Sequence, residues 1–69
     1  MQEITIIVDG FAERIPAKLG LTGLIARQQA QHKDLLVEIN GRFLHSSQYL
    51  SVVLCEGDRV ELIHPAFGG

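Results

Sequence analysis

The chain has 69 residues and a formal net charge of −2, from eight acidic and six basic side chains. One small domain fits that length, and so weak a charge excludes the basic footprint of a nucleic-acid binder and the polybasic patch of a membrane-surface protein. A single cysteine, Cys55, excludes an internal disulfide and suits a reducing compartment.

The first element alternates. Ile4, Ile6 and Val8 share one face, with Thr5, Ile7 and Asp9 on the other, as in a half-buried strand. Asp9-Gly10 is a two-residue hairpin signal. The chain then returns as a strand over 11–17, with Pro16 near its end, where an edge tolerates a missing donor. Thr22 is expected to cap a helix of about three turns running to Gln31, with Leu21, Leu24, Ile25 and Gln28 on its narrow core-facing stripe. The His32-Lys33-Asp34 cluster is expected to end it. A strand over 35–39 puts Leu35, Val37 and Ile39 on one face. Asn40-Gly41 is a second hairpin signal, followed by a short return strand over 42–45. A helical turn with a serine cap is expected at 46–50, strand or loop at 51–54, and a turn at Glu56-Gly57-Asp58. The last strand covers 59–64, with Val60 and Leu62 on one face and Arg59, Glu61 and Ile63 on the other.

Two hairpins flanking one helix predict an α+β fold of β-grasp type: a mixed four- to five-stranded sheet, one main helix across one face, and the first and last strands parallel at the centre. The expected division is a domain over 1–64 and a flexible tail over 65–69. No apolar run approaches a membrane span, and the N-terminus shows no signal-peptide pattern.

Residues suited to autonomous chemistry are few. His32, His45 and His64 are scattered over three elements and, with one cysteine, form no zinc pattern. Cys55 sits beside Glu56 and Asp58, and acidic neighbours disfavour a thiolate. Asp9 and Glu13 lie in a hairpin where carboxylates are solvated. No glycine-rich loop joins a strand to a helix with phosphate-binding spacing. An enzyme is therefore not expected.

The sequence closes on His64-Pro65-Ala66-Phe67-Gly68-Gly69. By average composition a terminal Gly-Gly arises by chance about once in 200 chains. Pro65 stops strand pairing, and two residues without Cβ atoms suit a narrow channel. Frayed ends also collect glycine, so the bland reading is an idle tail.

With these residues in view, the sequence resembles the ThiS/MoaD sulfur-carrier family of ubiquitin-like β-grasp proteins, and ThiS most closely. The likeness rests on Leu35-Leu36-Val37-Glu38-Ile39-Asn40-Gly41, on Glu56-Gly57-Asp58-Arg59-Val60-Glu61-Leu62, and on Gly68-Gly69. The resemblance implies a cytoplasmic carrier, not an enzyme, that binds no cofactor itself. A ThiF/MoeB-like partner would use ATP and Mg to adenylate the Gly69 carboxylate, with Gly68 giving clearance. A sulfurtransferase or cysteine desulfurase system would supply sulfur for a thiocarboxylate, and thiazole synthase would accept it in thiamine biosynthesis. Phe67 is bulkier than the small or aliphatic residue expected there, so the tail is expected to encode the choice of acceptor. Alternatives are a carrier for cysteine, homocysteine, siderophore-type thioacids, molybdopterin or tRNA thiolation, and a ubiquitin-like modifier. Ile63, Ile7 and Leu36 are expected to lie on the uncovered sheet face as a partner-binding patch, the plainer reading being scattered surface aliphatics.

Overall fold

The computed structural model describes residues 2–31 and 33–64. Strand β1 (Glu3–Val8) pairs antiparallel with β2 (Phe11–Pro16) in the register Ile4↔Ile15, Ile6↔Glu13, Val8↔Phe11. The connecting turn places Asp9 at φ 50° and Gly10 at φ 88°. Positive φ at both central residues defines the primed turn whose twist matches the strands, and a glycine takes the second position without steric cost. The second hairpin repeats this device. Asn40 (φ 53°) and Gly41 (φ 82°) join β3 (Leu36–Ile39) to β4 (Arg42–Phe43), with Ile39 facing Arg42.

The last strand, β5 (Arg59–Ile63), runs between the hairpins. It pairs parallel with β1 at Ile7↔Arg59 and Val8↔Val60, and antiparallel with β3 from Leu36↔Ile63 to Ile39↔Val60. The sheet order is β2-β1-β5-β3-β4, so five strands form the mixed sheet and the first and last are central neighbours. Pro16 ends the β2 edge, where its missing N–H leaves one ladder donor fewer exposed.

Helix α1 (Leu21–Arg27) covers one face of this sheet. Its Leu21, Leu24 and Ile25 join Ile6, Val37 and Val60 in a single core. Alternation in the strands explains the partition: Val60 and Leu62 are buried, while Arg59 and Glu61 are exposed. Leu54 and Leu35 close the core beyond the regular elements, at 2% and 6% exposure.

The helix differs from the sequence expectation at both ends. Thr22 is not its cap: the N-cap is Gly20, without a side-chain capping bond, and Thr22 lies exposed inside the first turn. Two tertiary bonds fix the start instead, with Leu21 N–H donating to Val52 O at 2.9 Å and Leu54 N–H to Leu19 O at 3.0 Å. The end falls at Arg27, about one turn early, because Gln29 takes φ 53° and breaks the helical path. Ala30 N–H then donates to Ile25 O at 3.0 Å and the Ala30 methyl is buried.

Smaller differences concern the return strand, which stops at Phe43, and the following 3₁₀ turn (Ser46–Ser51), whose N-cap is His45 rather than a serine. His45 N–H donates to Gln48 Oε1 at 2.9 Å, and Tyr49 Oη–H ties the turn to Leu35 O at 3.0 Å. Beyond Ser51, the segment 52–54 is loop apart from one bridge between Gly20 and Val53. Among the described residues no helix is long and apolar enough to cross a membrane.

Candidate functional site

Because β1 and β5 are parallel, the Asp9-Gly10 turn lies at the end of the sheet where β5 leaves it. Ile63 is the last strand residue, held against Leu36, and His64 follows as an exposed residue. The start of β3 is at this end too. A solvent-open groove of about 450 Å³ runs here between the segments 33–36 and 44–46. The end of the final strand is thus surrounded by the first hairpin turn on one side and this groove on the other.

The three residues expected as a partner patch lie on the face away from α1. Leu36 and Ile63 are paired directly, and Leu36 is 49% exposed. Ile7 faces Arg59, so it stands about 13 Å along β5 from Ile63. Leu36 and Ile63 therefore form one apolar pair near the exit, and Ile7 lies apart. Between them, Glu61 and Glu38 are direct cross-strand partners, and Phe43, 64% exposed, faces Glu38 from β4. Phe43 was not singled out by sequence, because its place on this face depends on the register of a two-residue strand.

Like charges directly opposite in a ladder destabilise it. Replacing Glu38 by Gln is accordingly expected to raise stability by about 0.5 kcal/mol, the scale of a cross-strand pair, in thermal or urea unfolding. No gain in stability would show that the two carboxylates do not repel across this pair.

The polar residues set aside by sequence have structural partners. Asp9 Oδ1 accepts from Leu62 N–H at 2.9 Å, and Glu13 Oε2 accepts from Gln28 Nε2–H at 3.1 Å. Asp58 accepts from Cys55 N–H at 2.8 Å and from Asn40 Nδ2–H at 3.0 Å, while Asn40 Oδ1 accepts from Arg59 N–H at 2.9 Å. Asn40 and Asp58 thereby lock the second hairpin to the start of β5. Cys55 is exposed and not disulfide-bonded. Among the described residues no three His, Cys, Asp or Glu side chains gather to hold a metal. The expected site residues Phe67, Gly68 and Gly69, like His32 and the tail division at 65–69, lie outside the described residues.

A helix packed across a five-stranded sheet, with parallel first and last strands at its centre, defines a small ubiquitin-like β-grasp protein. The ThiS family model matches residues 2–69, so the chain belongs to the ThiS family of sulfur-carrier proteins. The fold is similar to the crystal structure of the thiamine biosynthesis protein ThiS from Geobacter metallireducens. That likeness has a TM-score of 0.82 and 26% sequence identity, and covers 96% of this chain and 100% of the other. No curated protein sequence matches the chain.

Proposed function

We propose that this chain carries sulfur in thiamine biosynthesis, on the carboxylate of Gly69, as a substrate of other enzymes and not as a catalyst. The observation that carries the reading is the family match through residue 69, which includes Gly68-Gly69, on a fold whose last strand is central in the sheet. The Geobacter relative is itself described as a thiamine biosynthesis protein.

The chemistry follows from the weakness of a carboxylate as an electrophile. Its oxygen attacks the α-phosphorus of Mg-bound ATP on a ThiF/MoeB-like partner and pyrophosphate leaves. The terminal sulfur of a persulfide on a sulfurtransferase or cysteine desulfurase then attacks the acyl carbon and AMP departs. A second thiol cleaves the resulting acyl disulfide, leaving a thiocarboxylate and a disulfide between the two thiols. Thiazole synthase is the proposed acceptor. The carrier needs no cofactor of its own in this sequence, only a slender end and a docking surface, and the proposed setting is the cytoplasm. Gly68 supplies clearance and Phe67 contacts the partner channel.

Incubation with ATP, the activating enzyme and a sulfide source tests the reading by intact-protein mass spectrometry. The expected result is the gain of one sulfur for one oxygen at the C-terminal residue. An unchanged mass would overturn it, and a ladder of lysine conjugates in cells would make the chain a modifier instead.

The docking surface is proposed to include Ile63 and Leu36, with Ile7 further along the same face. Replacing Ile63 by Asp introduces a charge beside Leu36 at the exit. Affinity for the activating enzyme is expected to fall about tenfold or more, as for a central interface residue, while the variant stays folded by circular dichroism. Unchanged affinity would remove Ile63 from the interface.

A further inference from the structure

The end of β5 is held by an unusual substitution of side chain for backbone. The β1–β5 register stops at Val8↔Val60. A continued parallel ladder would take Leu62 N–H to the carbonyl of residue 9. At that point the chain has already entered the hairpin turn, with Asp9 at φ 50°. Asp9 N–H still donates to Val60 O at 2.9 Å, and its carboxylate Oδ1 accepts the Leu62 N–H at 2.9 Å. One residue therefore ends the ladder and extends it by one bond through its side chain. On the opposite edge, Leu36 pairs with Ile63. Strand β5 is thus held on the β1 side as far as Leu62, across a separation of 53 positions from Asp9, and on the β3 side to its last residue, Ile63.

We propose that Asp9 is a positioning residue that fixes the direction in which β5 leaves the sheet, and through it the place where the carrier end meets the activating enzyme. This rests on the function proposed above. Five residues follow His64, a segment that spans at most about 17 Å. The point where β5 releases the chain therefore sets the volume that the far end can search. An anionic acceptor suits the task, since a charge-assisted bond is stronger than a neutral one. Asp9 touches neither nucleotide nor acyl carbon in this role; it acts through Leu62.

The informative replacement is Asp9→Gly. Glycine accepts φ 50° freely, so the turn persists and only the carboxylate is lost, whereas alanine would add left-handed strain. Asp9→Asn keeps an acceptor oxygen and tolerates the same φ. Ile25→Val, in the core far from the exit in sequence, serves as a control for general loss of stability. Two measurements are made on the full chain: amide exchange and 15N relaxation at Leu62, Ile63 and His64, and ATP–pyrophosphate exchange with the activating enzyme.

Asp9→Gly is expected to speed Leu62 amide exchange, loosen Ile63 and His64, and raise the KM for the carrier about tenfold, the scale of one charge-assisted bond, with kcat little changed. Asp9→Asn is expected to stay within about threefold of the parent, as for a neutral bond in place of a charged one. Ile25→Val is expected to lower Tm without moving KM. The assignment is overturned if Asp9→Gly leaves the Leu62 to His64 amides unchanged, if it loosens them with KM unmoved, or if Ile25→Val raises KM equally. Failure of the parent chain to support any pyrophosphate exchange would refute the proposed function, and the amide measurements would still decide whether Asp9 holds the strand end.

Discussion

A chain shortened by Gly69 is expected to fold like the parent and to take up sulfur at least about 100-fold more slowly. The core ends at Leu62, so removing the last residue deletes no buried contact among the described residues. The shortened chain still ends in a glycine carboxylate, which is chemically the same group. What changes is reach. One residue contributes about 3.3–3.6 Å of extended chain, and a misplacement of about 1 Å at a reacting atom already costs on the order of 100-fold. Mass spectrometry of the sulfurated product under single-turnover conditions measures this directly. Sulfur uptake at the parental rate would show that the position of Gly69 does not matter, and would sink the carrier reading of this tail.

The second large effect is on stability. Leu24→Ala is expected to cost about 3 kcal/mol, in the range for a buried leucine cut back to a methyl. Leu24 is fully buried, at 0% exposure, in the middle of α1, which covers the sheet. A domain of this length holds roughly 3–10 kcal/mol in total, so the change removes a large share. The midpoint of thermal unfolding is expected to fall by on the order of 15 °C. A fall of only a few degrees would mean that neighbouring side chains close the cavity.

What was legible in the sequence follows from which signals are local. Asp9-Gly10 and Asn40-Gly41 announce their turns because φ > 0 at adjacent positions is a demand that few residue pairs meet. Alternation in 4–8, 35–39 and 59–63 fixes which side chains are buried, and hence which face α1 covers. The helix was less legible. Its start depends on Val52 accepting from Leu21, and its end on Gln29 turning left-handed, a conformation that glutamine does not advertise. Run-on helix propensity through Gln31 pointed past that stop.

The site divides the same way. Its expected residues were set by a terminal motif and by strand parity, both one-dimensional patterns. The separation of Ile7 from the Leu36–Ile63 pair required knowing the register between strands remote in sequence. Asp9 gave no sign of its second partner, since an aspartate at a primed turn already has a sufficient local reason to be there.

The central pairing of β1 with β5 also bears on how the molecule comes into being. Ile7 and Arg59 meet across most of the chain's length, and such distant pairing must wait until both partners exist. A nascent chain lacking β5 has no ladder for β1 at its centre and is missing Val60 and Leu62 from the core. A chain cut before β5 is therefore expected to lack the folded core, which circular dichroism of the 2–58 fragment would check. A copy folded around this core has therefore been translated at least through β5.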